Sequence, residues 1–217
     1  MNRDSYREIA CGIDIEPAGR IYKKWLKNQM PMEFFTDDEL MAICSRPMFI
    51  EQCFTIKEAV LKSFGVGWLN SDIKARDIEI KLSSDHFVAS LYGAAREIFY
   101  SCGYNSVMVN STISEGFIVS QAVLYNSDNC FEYLTEIKNR KYASTDMPSI
   151  DVYSDTIYPL LRSLLKISSS RDSMTLAKAG LGNPVIIDRE TRHIHRHIDV
   201  SISHSKNKLA VMTVKSN

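Results

Sequence analysis

Two carboxylates stand two residues apart in Gly12-Ile-Asp14-Ile-Glu16, inside an apolar run that begins at Ile9. On a β-strand such residues share a face, so Asp14 and Glu16 point one way and Ile13 and Ile15 the other. Paired hard oxygen donors suit Mg2+, which takes few protein ligands and fills its shell with water or substrate phosphate. Taken alone, the plainer reading is a surface strand whose outward positions are acidic. A second group lies in Lys57-Glu58-Ala-Val-Leu-Lys62. Glu58 and Lys62 are four apart and can touch on a helix, which as an exposed ion pair is worth about 0.2–0.5 kcal/mol. They would also serve as a metal-binding carboxylate beside an ammonium that neutralises phosphate oxygens. Glu58 has another plain reading, the acid of a capping box opened by Thr55.

The third group is Ser201-Ile-Ser203-His204-Ser205-Lys206. Hydroxyl, imidazole and ammonium together offer donors to a phosphate. A Ser–His nucleophile pair is the alternative within catalysis, but adjacent residues seldom place the hydroxyl on the imidazole, and there is no G-x-S-x-G elbow. Without either role it is a polar turn between strands. Just upstream, His193, His195 and His197 alternate. They could ligate a metal, but their Arg-rich surroundings read more simply as a solvated strand face.

The elements that must position these groups follow from local pattern. Residues 9–15 are short and β-branched, a strand. Trp25 and Leu26 sit in a short helix interrupted by Pro31. Thr36 and Glu39 form a capping-box pair that opens a helix ending before Pro47, and Thr55 with Glu58 repeats the spacing, opening a helix that stops at Gly65. Strand patterns cover 77–82, 87–91, 106–109 and 116–125, with a short helix over 94–100. Residues 126–150 are polar and without period, and read as a linker. A helix over 157–167, a turn at 180–184 and strands at 185–187, 198–202 and 209–214 complete the chain. Val109-Asn-Ser-Thr-Ile-Ser114 and Val200-Ser-Ile-Ser-His-Ser205 each read as the end of a strand and a Ser-rich turn ahead of a second strand, a weak sign of a duplicated αβ half. Only the second copy carries a histidine.

Composition narrows the classes. The chain has 217 residues, 45% apolar and 24% charged, with nine Gly and six Pro, which excludes disordered and collagen-like classes. Lys plus Arg and Asp plus Glu both number 26, so a broad basic surface for nucleic acid is not expected. The five cysteines form no CxxC pair and read as reduced thiols. With no signal-like segment at the start and no membrane-spanning apolar stretch, a cytoplasmic protein with no membrane partner is expected.

Gly-Ile-Asp-Ile-Glu, then Phe34-Phe-Thr-Asp-Asp-Glu-Leu40, then Phe54-Thr-Ile-Lys-Glu-Ala-Val-Leu-Lys62, in this order and spacing, resemble the 4′-phosphopantetheinyl transferases. Ile198-Asp-Val-Ser-Ile-Ser-His-Ser205, preceded by Gly182-x-Pro184, is similar to the Ser-His motif of the same family. The order of the two motifs is reversed relative to surfactin-type members, and the first 125 residues resemble a complete protomer of the holo-acyl-carrier-protein synthase type. Asn183 stands where a Lys is usual and Tyr158 where a basic residue is usual.

The resemblance implies an α+β pseudo-dimer of two related halves with the active site between them. Residues 1–125 would form the catalytic half, 126–150 the linker and 151–217 the coenzyme A phosphate-binding half. It implies transfer of 4′-phosphopantetheine from coenzyme A to a serine of an apo acyl or peptidyl carrier protein, by a monomer. Mg2+ would sit on Asp14, Glu16 and Glu58. Glu58 would take the serine proton and Lys62 would balance charge on the leaving phosphate. Ser203, His204, Gly182, Pro184 and Lys57 would hold coenzyme A. The carrier would dock near Phe34, Phe35 and Met41, residues that would equally suit core packing. The other reading is a non-catalytic relative that binds coenzyme A or a carrier and scaffolds a synthase.

Overall fold

The computed structural model describes residues 7–139, 151–165, 174–178, 184–188, 194–205 and 208–216. Two antiparallel three-stranded sheets organise it. In the first, β5 (Phe117–Tyr125) lies between β1 (Ile9–Pro17) and β4 (Ser106–Ser114). In the second, β10 (Lys208–Ser216) lies between β6 (Phe131–Asn139) and β9 (Ile198–Ser205). In both, the last strand of the unit is central and the first is outermost. Each unit also has one 15-residue helix, α3 (Phe49–Ser63) or α5 (Asp151–Leu165). Each has a hairpin as well, β2 (Ile78–Ser83) with β3 (His86–Leu91), or β7 (Met174–Lys178) with β8 (Pro184–Asp188). The shared order is that of an α+β pseudo-dimer of two related halves. The first half adds α1 (Arg20–Leu26), α2 (Asp37–Ser45) and α4 (Gly93–Ser101).

Three expectations need correction. The supposed linker contains β6, which pairs with β10 along its whole length. Its charged residues hid the strand, although Phe131, Tyr133, Thr135 and Ile137 alternate with Glu132, Glu136 and Lys138. Helix α3 begins at Phe49, directly after the Pro47 that ends α2, and not at Thr55. Thr55 sits mid-helix, where its hydroxyl donates to the Glu51 carbonyl (2.9 Å) and meets the Ser120 hydroxyl (2.6 Å), which in turn donates to Ser111 (2.9 Å). The Asn110–Ser114 and Ser201–Ser205 segments are strand and not turn. Other local signals hold. Both capping-box bonds form at Thr36 and Glu39, at 3.3 and 2.8 Å. Helix α3 stops where Gly65 adopts φ +73°.

Strand β1 is the centre of the molecule. Its even-numbered face meets α3 so closely that a Cβ on Gly12 would lie 1.8 Å from the Ala59 carbonyl oxygen. Its odd-numbered face, Ile9, Cys11, Ile13 and Ile15, packs with Val119 and Val123 against Ala210, Met212 and Val214 of β10. Full burial of one such isoleucine is worth about 1.5–3 kcal/mol, and this apolar layer joins the halves. The free edge of β1 is closed in an unusual way. The backbone N–H groups of Cys11, Ile13 and Ile15 donate to Asp199 Oδ2 (2.9 Å), Ser201 Oγ (3.0 Å) and Ser203 Oγ (3.3 Å), each 188 residues away. The constant offset means that β1 and β9 run in the same direction, with side chains of β9 standing where a neighbouring backbone would be. Arg7 adds an ion pair to Asp199 at 2.6 Å.

Candidate active site at the seam between the halves

Asp14 projects from the α3 face of β1 and is 6% exposed. Its Oδ1 accepts from Lys62 Nζ at 2.6 Å and from Ser203 Oγ at 3.0 Å. Lys62 also donates to Ser203 Oγ at 3.0 Å. A carboxylate and an ammonium from the first half and a hydroxyl from the second therefore form a closed triangle. The expected surface pair of Glu58 with Lys62 is replaced by this one. Glu16, two residues along β1, forms an ion pair with Arg20 at the start of α1. Glu58, on α3, accepts from the indole N–H of Trp68 at 2.5 Å.

The electrostatics follow from burial. Desolvation pushes the Glu58 carboxyl above its ordinary range, and the Asp14 charge pushes it further, against Lys62 and the indole N–H. Desolvation also raises Glu16, opposed by the Arg20 hydrogen bond and reinforced by Asp14. Three carboxylates thus feel one another, and Asp14 Oδ2 is buried without a hydrogen-bond partner. Hard, unsatisfied oxygen donors of this kind fit a divalent cation such as Mg2+. Among the described residues no three acidic, His or Cys side chains are gathered tightly enough to hold one. As placed, Arg20 draws Glu16 aside and Trp68 holds Glu58.

The structure brings together Asp14, Glu16, Glu58, Lys62 and Ser203, and it separates others. Lys57 is fully buried, and its ammonium donates to Glu39 (2.7 Å) and to the carbonyls of Phe34 and Ala75 (both 2.9 Å). All three of its donors are used, so the expected coenzyme A contact is corrected to a structural tie between α3, α2 and the loops beside them. Ser203 is corrected in the same way. Its hydroxyl donates to Asp14 and accepts from Lys62 and Ile15 N, which exhausts a hydroxyl's capacity. It joins the halves and has no bond left for a phosphate. His204, next along β9, is exposed and lies by alternation on the face whose Ile198 and Val200 pack toward α5. Pro184 is half-buried and opens β8. Gly182, Asn183 and His193 lie outside the described residues. Tyr158, found where a basic residue is usual, accepts from Leu176 N at 3.3 Å and so ties α5 to β7. Phe35 is a core residue, Phe34 is half-buried, and Met41 is exposed.

Three participants escaped the sequence reading. Arg20 had a signal, four residues after Glu16. Asp199 lies inside the Ser-His motif, yet only the seam shows its use. Trp68 has no periodic signal and is found only through the loop after α3.

The sequence pattern that defines the 4′-phosphopantetheinyl transferase superfamily matches residues 10–118, half of the chain. The chain is 31% identical over 126 residues to a holo-[acyl-carrier-protein] synthase of Natranaerobius thermophilus, covering 54% of this chain and 98% of that protein. It is 34% identical over 117 residues to the synthase of Alkaliphilus metalliredigens, covering 52% of this chain and 94% of that one. Among solved structures, it resembles a Plasmodium yoelii holo-ACP synthase (TM-score 0.46, 27% identity, 54% of this chain and 94% of that one). It also resembles the Helicobacter pylori synthase in complex with coenzyme A (TM-score 0.45, 25% identity, 52% and 98%). The chain belongs to the 4′-phosphopantetheinyl transferase superfamily.

Proposed function

We propose that this protein transfers 4′-phosphopantetheine from coenzyme A to a serine hydroxyl of an apo acyl or peptidyl carrier protein. The serine oxygen forms a bond to the β-phosphorus as the bond to the 3′,5′-ADP oxygen breaks, giving holo-carrier and 3′,5′-ADP. The observation that carries this reading is the triangle of Asp14, Lys62 and Ser203, because it joins acid, cation and hydroxyl only where the two halves meet. The names of the two synthase relatives support the same reaction.

Each residue's part follows from its surroundings. Glu58 accepts the proton of the carrier serine. Its carboxylate is made more basic than usual by burial and by the charge of Asp14, which suits a general base working near neutrality. Lys62 has two of its three donors on protein oxygens and directs the third to the leaving phosphate. Asp14 holds Lys62 in place. Mg2+ on Asp14, Glu16 and Glu58 would neutralise pyrophosphate charge and polarise the phosphoryl group. His204, on the exposed end of β9, would contact a coenzyme A phosphate, and Pro184 opens the adjoining strand β8. Exposed Met41 on α2 remains available to the carrier.

The test mixes the protein with coenzyme A, Mg2+ and a panel of apo-carriers and reads the intact mass of each carrier. Addition of one phosphopantetheine to at least one carrier is expected. Binding of coenzyme A and carrier with no mass gain across the panel would make the chain a non-catalytic relative.

A further inference from the structure

We propose that Trp68 is a positioning residue for Glu58, holding one carboxylate oxygen so that the other faces the carrier serine; this rests on the transfer reaction proposed above. The indole N–H can only donate. It lies 2.5 Å from Glu58 Oε1, a charge-assisted contact, and it is the hydrogen bond that holds this carboxylate among the described residues. The repulsion of Asp14 and Glu16 would otherwise let the side chain swing away on its flexible stem.

The indole is itself braced. Its ring meets Phe34 edge-on (centroids 5.1 Å, 70°), and Phe34 stacks on Phe54 (5.2 Å, 27°). The Phe34 carbonyl accepts from Lys57, whose ammonium lies 5.4 Å from the Phe34 ring centroid and is fixed by Glu39. A buried ion pair is thus linked, through two aromatic rings, to the carboxylate that takes the proton. This gives the Lys57 beside Glu58 a purpose that does not require it to touch substrate. With Oε1 engaged by the indole, Oε2 is the oxygen open to the serine.

Two measurements on the full chain test the proposal. The protein has two tryptophans, Trp25 and Trp68, so a Trp25→Phe variant assigns the indole N–H resonances in 15N-labelled protein. In Glu58→Ala the Trp68 signal should move upfield and exchange faster with solvent while that of Trp25 stays. An unmoved Trp68 signal would overturn the contact, whatever reaction the protein performs. In Trp68→Phe, which keeps a ring and removes the N–H, kcat should fall about 10–100-fold, as for loss of a group that orients a reacting side chain. KM for coenzyme A and the melting temperature should hold. An unchanged kcat, or a fall in kcat matched by a fall in melting temperature, would make Trp68 merely structural. Wild-type protein that modifies no carrier would sink the reaction but leave the resonance experiment to decide the contact.

Discussion

Strands β1 and β6 hold the same place in their sheets, and their registers can be aligned residue by residue. The β4–β5 hairpin closes on Ser114 opposite Phe117, and the β9–β10 hairpin on Ser205 opposite Lys208. Strand β1 ends with Pro17 opposite Phe117, and β6 with Asn139 opposite Lys208. Counting back, Asp14 and Glu16 of the first half correspond to Glu136 and Lys138 of the second. Ser203 and His204 on β9 correspond to Thr112 and Ile113 on β4. Where β1 presents two carboxylates, β6 presents an acid and a base that neutralise each other at 2.9 Å. Where β9 has an imidazole, β4 has a methyl-bearing side chain with no donor. The duplicated fold thus offers two equivalent places for chemistry. Lys138 stands where the first half has Glu16, and Ile113 where the second half has His204.

The sharpest way to break this comparison is to delete the acids. Asp14→Ala and Glu58→Ala should each reduce transfer at least ~10³-fold, because a metal-assisted phosphoryl transfer loses several kcal/mol of charge stabilisation. Glu136→Ala, at the position equivalent to Asp14, should change stability by no more than about 0.5 kcal/mol, as for an ordinary surface substitution, and leave turnover unchanged. Equal losses in both strands, measured by carrier mass, would erase the distinction. Next in size, Lys62→Ala should lower kcat about 10²–10³-fold, the usual cost of removing one group that stabilises developing charge, with little change in coenzyme A affinity. Lys138→Ala should do neither. Smaller again, His204→Ala should raise the Kd for coenzyme A about 10–100-fold, the value of one charge-assisted hydrogen bond, while Ile113→Ala leaves calorimetric binding as it was.

The smallest effect concerns pH. The Glu58 carboxyl is raised in the folded state by burial and by Asp14. A carboxyl raised on folding favours the native state below its ordinary value and loses that contribution as pH climbs through the raised value. Glu58→Gln should therefore melt higher than wild type at neutral pH and should abolish the difference as the solution is acidified. The same ionisation sets activity in the opposite sense. Turnover of wild type should fall on acidification beginning above the usual carboxylate range, since Glu58 works as the anion. A Glu58→Gln protein that melts lower at neutral pH would show that the buried charge is already offset by its neighbours.

Much of the first half was legible because its signals are local. The Thr36–Glu39 box names both partners within four residues, and the alternation of Ile13, Asp14, Ile15 and Glu16 separates the apolar face of β1 from the face that carries the acids, although both faces are covered. The misreading at Thr55 is equally local in origin. Its spacing to Glu58 satisfies the same pattern, yet the hydroxyl has a better acceptor in Glu51 of the preceding turn and a buried partner in Ser120. Lys57 and Ser203 could not be read at all. Their bonds run to residues 18 and 188 positions away, as in Lys57 to Glu39 within the first half and Ser203 to Ile15 across the seam. Only the fold decides whether a lysine or serine beside a catalytic motif faces the substrate or the protein. Strand β6 failed for a different reason: Phe131, Tyr133, Thr135 and Ile137 do alternate with Glu132, Glu136 and Lys138, but the polar residues on either side of this short stretch hid it.

The ladder from β9 to β1 also fixes a point in time. Its three rungs join residues separated by 188 positions, among the costliest loops this chain can close. Such distant contacts form after the local elements that they connect. Ser203 makes the last rung and simultaneously seats Asp14 and Lys62. Seating of the acid–ammonium pair is therefore tied to the docking of β9: chains that have built the first half but have not yet docked β9 carry the acids without their anchor. A refolding experiment would see helix and sheet signals return first and transferase activity return last.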